Sequence, residues 1–293
     1  MSDRLLWVLC GGGVALMSAA LLPSSMAIAP YIGAVDVPRE ARRMHKRPIP
    51  RCGGIALFGA FWSILAVLGQ LKNSLLPLLL ATALLTVLGL ADDVFGLPAG
   101  GKLLAQLVAG GIVIGVPTRS MLMPWLLALL WLCLVTNAHN MIDGIDGLAG
   151  SVIAAESAGT AVLLLLGGDA LGGVLSLGCL GCCLGYLPYN MHPARVFMGD
   201  EGALFLGFLI GWLSLRAYDV TGAGAIPLLL CFIPMADLTF AVVRRLLHGK
   251  NPFRADRGHL HHRLCDAGLG QRQVCLCLAA LSLIAALGAI AIG

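Results

Sequence analysis

The 293-residue sequence predicts an all-α integral membrane protein of about ten transmembrane helices, and three observations carry that expectation. Hydrophobic residues make up 59% of the chain and charged residues 12%, with a mean hydropathy of +0.91, a balance far from that of a soluble domain. A helix that crosses the hydrocarbon needs about 20 mostly apolar residues, and roughly ten such runs follow one another along the chain. The acidic and histidine-bearing motifs fall in alternate gaps between those runs. A multi-spanning chain places alternate gaps on the same side of the bilayer, so these groups share one face.

Taken in order, the runs cover residues 5–29, 53–70, 74–91, 103–118, 121–137, 147–167, 170–187, 202–217, 224–244 and 273–292. The first begins after Arg4 and ends near Ala27-Ile28-Ala29, a pattern that also suits a cleaved signal peptide. Its length, and the six basic residues that follow it, favour a retained helix, because such a cluster resists translocation. Gly is abundant, at 38 residues, and often lies inside the runs, as at Gly11-Gly12-Gly13, Gly53-Gly54, Gly172-Gly173 and the pair Gly207 and Gly211. Small residues let transmembrane helices approach closely. The long polar gaps are the first, 30–52, and the last, 245–272. Pro48 and Pro50 prevent a regular helix through the first, and Asn251-Pro252 breaks the chain after Arg244-Arg245 in the last. No gap has room for a separate soluble domain, so residues 1–293 read as one polytopic membrane domain. No internal repeat is visible, which counts against the inverted-repeat architecture of many secondary transporters.

Orientation follows from Lys and Arg. The motif-bearing gaps hold Arg39, Arg42, Arg43, Lys46, Arg47, Arg51, Lys102, Arg195, Arg244, Arg245, Lys250, Arg254, Arg257, Arg263 and Arg272, which is 15 of the 19 basic residues. The opposite side has only Arg4, Lys72, Arg119 and Arg216. The motif face is therefore expected in the cytoplasm, with both termini outside. All seven His lie in or beside the same gaps, and the outer gaps hold none. The net charge of +4 sits beside the membrane, where anionic lipid head groups and phosphates are the natural partners and nucleic acid is not. Cys179, Cys182, Cys183, Cys275 and Cys277 lie within apolar runs and read as small apolar filler.

The chemistry is carried by four constellations. Asp92-Asp93 is a pair of adjacent carboxylates, which repel each other unless a cation or a proton lies near them. In Asn140-x-x-Asp143-x-x-Asp146, polar groups recur at spacing three, which on a helix would turn them toward one bound species. That segment has no compensating Lys or Arg, so a metal ion or substrate cation would offset the cost of holding it against the bilayer. Asp200-Glu201 adds acid just before the eighth run. An all-oxygen set suits Mg²⁺, with Mn²⁺ as the alternative, better than zinc. His259, His261 and His262 stand among Arg254, Arg257 and Arg263, which attract phosphate and repel metal. Acids for a divalent cation, together with Arg, Lys and His for phosphates, suit phosphoryl transfer, in which positioning and charge neutralisation supply most of the catalysis.

With these residues in place, the sequence resembles the polyprenyl-phosphate N-acetylhexosamine-1-phosphate transferases. The resemblance rests on His45-Lys46-Arg47-Pro48-Ile49-Pro50-Arg51-Cys52-Gly53-Gly54, Ala91-Asp92-Asp93, the block 137–147, Val196-Phe197-Met198-Gly199-Asp200 and Asp256-Arg257-Gly258-His259-Leu260-His261-His262, in the family's order. It implies transfer of a sugar 1-phosphate from a UDP-sugar to undecaprenyl phosphate, with release of UMP. It further implies that Asp200 is the principal Mg²⁺ ligand, and that Asp92 and Asp93 engage and deprotonate the lipid phosphate. Asn140, Asp143 and Asp146 would help form the metal and diphosphate site, and Lys102 would meet the lipid phosphate. Asn190 would lie near the nucleotide, and Lys46 and Arg47 would bind substrate. His259, His261 and His262, with Arg257 beside them, would hold the diphosphate. The chain departs from the pattern at Gly96, where many relatives have a third acid, and at Glu201 and Ala203, where a small residue and Ser are usual. Leu260 interrupts the histidine run that is continuous in the phospho-N-acetylmuramoyl-pentapeptide branch, and the resulting form resembles the N-acetylglucosamine branch.

The resulting expectation is an enzyme of the bacterial inner membrane that makes undecaprenyl-diphospho-N-acetylglucosamine from UDP-N-acetylglucosamine, as the first membrane step of a cell-envelope glycan. The alternatives are a phospho-N-acetylmuramoyl-pentapeptide transferase or another UDP-N-acetylhexosamine donor, and, from a different class, a secondary transporter of a phosphorylated solute. Transporters hold ionisable groups near the bilayer midplane, whereas the acids of this chain cluster at the cytoplasmic ends, with only Glu156 and Asp237 among them within runs. Direct attack and a covalent intermediate both fit the sequence, and a homodimer is compatible with it.

Overall fold

The structure, a computed structural model, describes residues 3–38, 47–115, 121–249 and 258–293. A helix stands at each of the ten apolar runs. α1 spans Asp3–Ile32 and α2 spans Gly53–Val67. A short 3-10 turn, Asn73–Leu75, leads into α3, Leu76–Phe95, followed by α4, Ala99–Ile114. Then come α5, Leu122–Ile142, α6, Leu148–Leu166, α7, Ala170–Asn190, and α8, Gly199–Thr221. The run 224–244 is broken into α9, Ala225–Leu230, and α10, Phe232–Leu247, with Cys231 between them. Pro227 and Pro234 flank that break, and each removes a backbone donor. The chain closes with α11, Leu260–Asp266, and α12, Gln271–Ile292. Among the described residues, seven helices are long and apolar enough to cross a membrane, and α2 and α4 are shorter apolar helices.

α8 is the axis of the bundle. Nearly every residue from Gly199 to Leu213 is buried, as expected of a helix that is apolar all round. α5, α3, α2 and α6 pack around it. With little hydrophobic force between helices in lipid, close approach through small residues has to supply the contacts. A side chain on Gly207 would run into Cβ of His139 at 2.8 Å, and one on Gly211 into Val135 at 3.2 Å, so the Gly207 and Gly211 pair seats α5.

The helix ends extend past the sequence expectation on the motif side. α3 continues through Asp92 and Asp93 to Phe95, and α5 continues through Asn140 to Ile142. Among the described residues of the first long gap, the Pro-rich stretch 47–52 is not helical, and two short strands form. β1, Val35–Asp36, pairs antiparallel with β2, Ile49–Pro50. Arg51 N–H then donates to Ala34 O at 2.8 Å, and Phe197 N–H donates to Pro50 O at 2.8 Å. The ribbon thereby suspends Arg51 over the start of α8.

Candidate active site

The first turn of α8 is wedged between two glycines. A side chain on Gly89 of α3 would collide with the backbone of Glu201, and one on Gly54 of α2 with that of Gly202. Gly199 enters the helix at φ +72°, a left-handed conformation that other residues seldom adopt. Gly53 and Gly54 N–H groups donate to Phe197 O and Met198 O at 3.1 and 2.9 Å. These contacts fix where the Asp200 side chain leaves the backbone.

Around Asp200 the charges converge. Lys102, in the first turn of α4, reaches Asp92 Oδ2 at 2.6 Å and Asp200 Oδ2 at 3.0 Å. Arg51 Nη2 meets Asp93 Oδ1 at 2.6 Å and lies 3.6 Å from Asp200 Oδ1. Asn140 Nδ2 donates to Asp200 Oδ2 at 3.4 Å, and the Asp200 N–H donates to Asp93 Oδ2 at 2.7 Å. Leu97 N–H donates to Asp92 Oδ1 at 2.6 Å. Both oxygens of Asp93 are thus engaged, and its side chain is fully buried, whereas Asp92 keeps 11% of its side-chain surface open. Burial works against the Arg51 charge, but Asp93 and Asp200 outweigh it and hold the guanidinium more firmly protonated than usual. Glu201 is fully buried beside Asp93, and neither of its carboxyl oxygens has a hydrogen-bond partner among the described residues.

The block 140–146 does not form one helical face. α5 ends at Ile142, with Asp143 as its C-terminal cap residue. Burial pushes the Asp143 carboxyl up to about 7 against the pull of Arg51, with Asp200 adding to the rise. Asp146 turns away: its Oδ2 meets His192 Nδ1 at 2.8 Å and accepts the Ala194 N–H at 3.0 Å. The i, i+3 reading therefore fails at the helix end, because the chain leaves the helix at Asp143, the first of the two acids. Asn190 is buried, accepts the Gly147 N–H at 2.8 Å and donates to Val196 O at 2.8 Å, so it ties the turn after α5 to the segment before α8.

The histidines close the site from α11. His259 Nδ1 meets Asp237 Oδ2 at 2.8 Å, the Leu260 N–H donates to Asp237 Oδ1 at 2.6 Å, and Arg245 Nη2 lies 3.3 Å from His259 Nε2. His259 is held on both ring nitrogens, so it braces the loop and does not face a ligand freely. Asp237, inside an apolar run, has the job of holding this loop. His261 is buried against Gly144, where any side chain would strike its Nε2, and that nitrogen has no hydrogen-bond partner among the described residues. Burial, then the neighbouring His262, push the His261 ring down to about 3, so it is neutral. His262 packs its ring 4.3 Å from that of His261.

Of the residues singled out from the sequence, Asp92, Asp93, Lys102, Asn140, Asp143 and Asp200 gather, and His261 lies over the Asp143 turn. Asp146 and Arg47 line a neighbouring cleft of about 670 Å³ with His192, Arg195, Ile49 and Gln271. Lys46 and Arg257 lie outside the described residues. Sequence reasoning placed Arg51 in the basic stretch 45–54 of the motif face but gave it no role of its own, and gave none to His192. Among the described residues, no three His, Cys, Asp or Glu side chains converge in a metal-binding arrangement.

Residues 75–218 match the model of glycosyl transferase family 4, which covers α3 to α8 and so the acidic centre. The chain is 36% identical over 310 residues to the probable undecaprenyl-phosphate N-acetylglucosaminyl 1-phosphate transferase of Bacillus subtilis (strain 168), spanning 99% of this chain and 86% of that protein. It is 34% identical to the decaprenyl-phosphate N-acetylglucosaminephosphotransferase of Mycobacterium tuberculosis (strain H37Rv), over 91% of this chain and 80% of the relative. The undecaprenyl-phosphate alpha-N-acetylglucosaminyl 1-phosphate transferase of Escherichia coli (strain K12) is 29% identical over 90% of this chain and 78% of its own length. The chain belongs to glycosyl transferase family 4, among the polyprenyl-phosphate N-acetylhexosamine-1-phosphate transferases.

Proposed function

We propose that the protein transfers N-acetylglucosamine 1-phosphate from UDP-N-acetylglucosamine to undecaprenyl phosphate, giving undecaprenyl-diphospho-N-acetylglucosamine and UMP, as the first membrane step of a cell-envelope glycan. The observation that carries the reading is the meeting of Asp92, Asp93 and Asp200 with Lys102, Arg51 and Asn140 at one end of the bundle. Relatives spanning nearly the whole chain are named for this transfer. The distribution of Lys and Arg supports a cytoplasmic site with both termini outside.

Asp200, with Asp143 beside it, is the proposed holder of Mg²⁺. The fit rests on charge and donor type. Five carboxyl groups, Asp92, Asp93, Asp143, Asp200 and Glu201, gather against two cations, Arg51 and Lys102, and all the acidic donors are oxygen. Mg²⁺ is usually held by one or two carboxylates together with substrate phosphates, so three converging protein ligands are not required. When bound, the ion neutralises charge on the donor diphosphate. Lys102 exchanges its carboxylate partners for phosphate oxygens, and Arg51, still paired with Asp93, exchanges only its longer contact with Asp200. Asp92, the more accessible of the pair, takes the proton of the acceptor phosphate at a carboxylate oxygen, while Asp93 holds Arg51 and the start of α8. The cleft beside Arg47 and Asp146 is open enough for the nucleotide end of the donor. His261 supplies a neutral ring over the Asp143 turn.

The test is an assay of purified protein with undecaprenyl phosphate, UDP-N-acetylglucosamine and Mg²⁺. UMP and a lipid-linked product should form, EDTA should abolish both, and excess Mg²⁺ should restore them. Asp200→Asn should lower kcat by about 100-fold or more while the protein stays folded in detergent. Near-normal turnover of that variant would remove Asp200 from the role.

A further inference from the structure

We propose that Gln106 and Asn137 are a positioning pair that sets the register of α4 against α5, so that Lys102 and Asn140 meet on the same oxygen of Asp200. The inference rests on the transfer reaction proposed above. Lys102 and Gln106 stand four residues apart on α4, and Asn137 and Asn140 stand three apart on α5, so each pair shares a helix face. Asn137 Nδ2 donates to Gln106 Oε1 at 2.6 Å, and Gln106 Nε2 donates to Asn137 Oδ1 at 3.3 Å. Asn137 Nδ2 also donates to Cys133 O at 2.7 Å. A carbonyl can only accept, so that bond fixes which atom of the Asn137 amide is the nitrogen, and with it the sense of the reciprocal pair with Gln106.

One turn beyond this amide pair, toward the site, Lys102 Nζ lies 3.0 Å and Asn140 Nδ2 3.4 Å from Asp200 Oδ2. A reciprocal amide pair is directional in a way that apolar packing is not, because a slide of either helix breaks both bonds. Gln106 is 1% exposed, so its own amide would be left without water once the bonds are lost. A slip of about 1 Å in α4 would carry Lys102 off Asp200 and Asp92, and misplacements of that size can cost about 100-fold in rate. The pair touches neither the acidic centre nor the cleft, so its effect on chemistry runs through Lys102 and Asn140.

A purely structural role predicts that activity follows stability, and variants separate the two. Replacing both partners with apolar side chains leaves no orphaned amide, so Gln106→Leu/Asn137→Leu should unfold within about 3 °C of wild type. Its kcat should nevertheless fall at least about tenfold, with the KM for the donor within about twofold. The exchanged pair, Gln106→Asn/Asn137→Gln, restores one amide on each helix and should recover kcat to within about threefold of wild type. Wild-type kcat in the apolar double variant would overturn the proposal. If that variant does not fold, a folded exchanged pair decides the matter, with recovery supporting the inference and a tenfold loss overturning it. Absence of transfer by the wild-type protein itself would instead strike the proposed function.

Discussion

His139 shows how far a single residue can depart from its sequence context. It stands beside the polar block at the end of α5, yet it is fully buried and points sideways into the bundle. Its Nδ1 lies 2.8 Å from Val135 O, which can only accept, so that nitrogen carries a proton. The other nitrogen lies 2.7 Å from Glu156 Oε2 on α6, and one further proton is shared across that contact. The pair is neutral as a unit, which is how an acid can be kept inside an apolar bundle. Removing one partner strands the other, so Glu156→Leu should cost about 3–5 kcal/mol, whereas His139→Phe/Glu156→Leu should be close to neutral. Denaturation midpoints in mixed micelles will show this, and equal losses in the single and double variants would contradict the pairing. Composition flagged Glu156 as an anomaly inside a run, but its partner was illegible because the two lie on different helices. Asp92, Asp93 and Asp200 were legible because acids beside apolar runs stand out. Arg51 was hidden among five other basic residues of the same gap.

At the scale of the element, each apolar run located a helical stretch, while α11 in the last polar gap was not marked by any run and the helix ends were misplaced. α3 and α5 each outlast their apolar stretch and carry Asp92, Asp93 and Asn140 on helical backbone. Hydropathy marks where lipid ends, not where hydrogen bonding ends. The break at Cys231 was equally hidden, since both halves are apolar and only Pro227 and Pro234 mark it. The start of α7 offers a test at the other end of the bundle. Asp169 caps that helix by accepting the Gly172 N–H at 3.0 Å and pairs with Arg216 of α8 at 2.7 Å. Burial alone would raise its pKa, but the Arg216 guanidinium and the Gly172 N–H prevail and hold it below its ordinary value. A depressed folded pKa means that the stabilisation is present above the unfolded value of about 3.9 and fades as pH falls through the folded one. Asp169→Ala should therefore cost about 1–2 kcal/mol at pH 7 and much less once wild-type Asp169 is protonated. A stability difference between the two proteins that is constant from neutral pH to below pH 3 would refute that account.

For the whole molecule, the alternate-gap argument brought together residues more than a hundred positions apart, such as Arg51 and Asp200. It worked because each crossing reverses direction, a constraint stronger than any local propensity. The side of the membrane rests on Lys and Arg alone. With a membrane-impermeant maleimide on intact cells, a thiol at Asn73→Cys should react and thiols at Arg43→Cys and Arg257→Cys should not. The reverse pattern would put the acidic centre on the wrong side for a cytoplasmic nucleotide sugar. The finer choice of donor was the least legible feature, since it hangs on the short stretch around Leu260.

The reaction itself is tested most directly by following the donor's β-phosphate. Supplied with undecaprenyl phosphate and Mg²⁺, purified protein should move a label on the β-phosphate of UDP-N-acetylglucosamine into the lipid product and release unlabelled UMP. UDP-N-acetylmuramoyl-pentapeptide should be used at least about 100-fold less efficiently, a difference of about 2.7 kcal/mol in transition-state binding. Label retained in released UDP would mean transfer of the sugar without its phosphate, and would contradict the account at its centre.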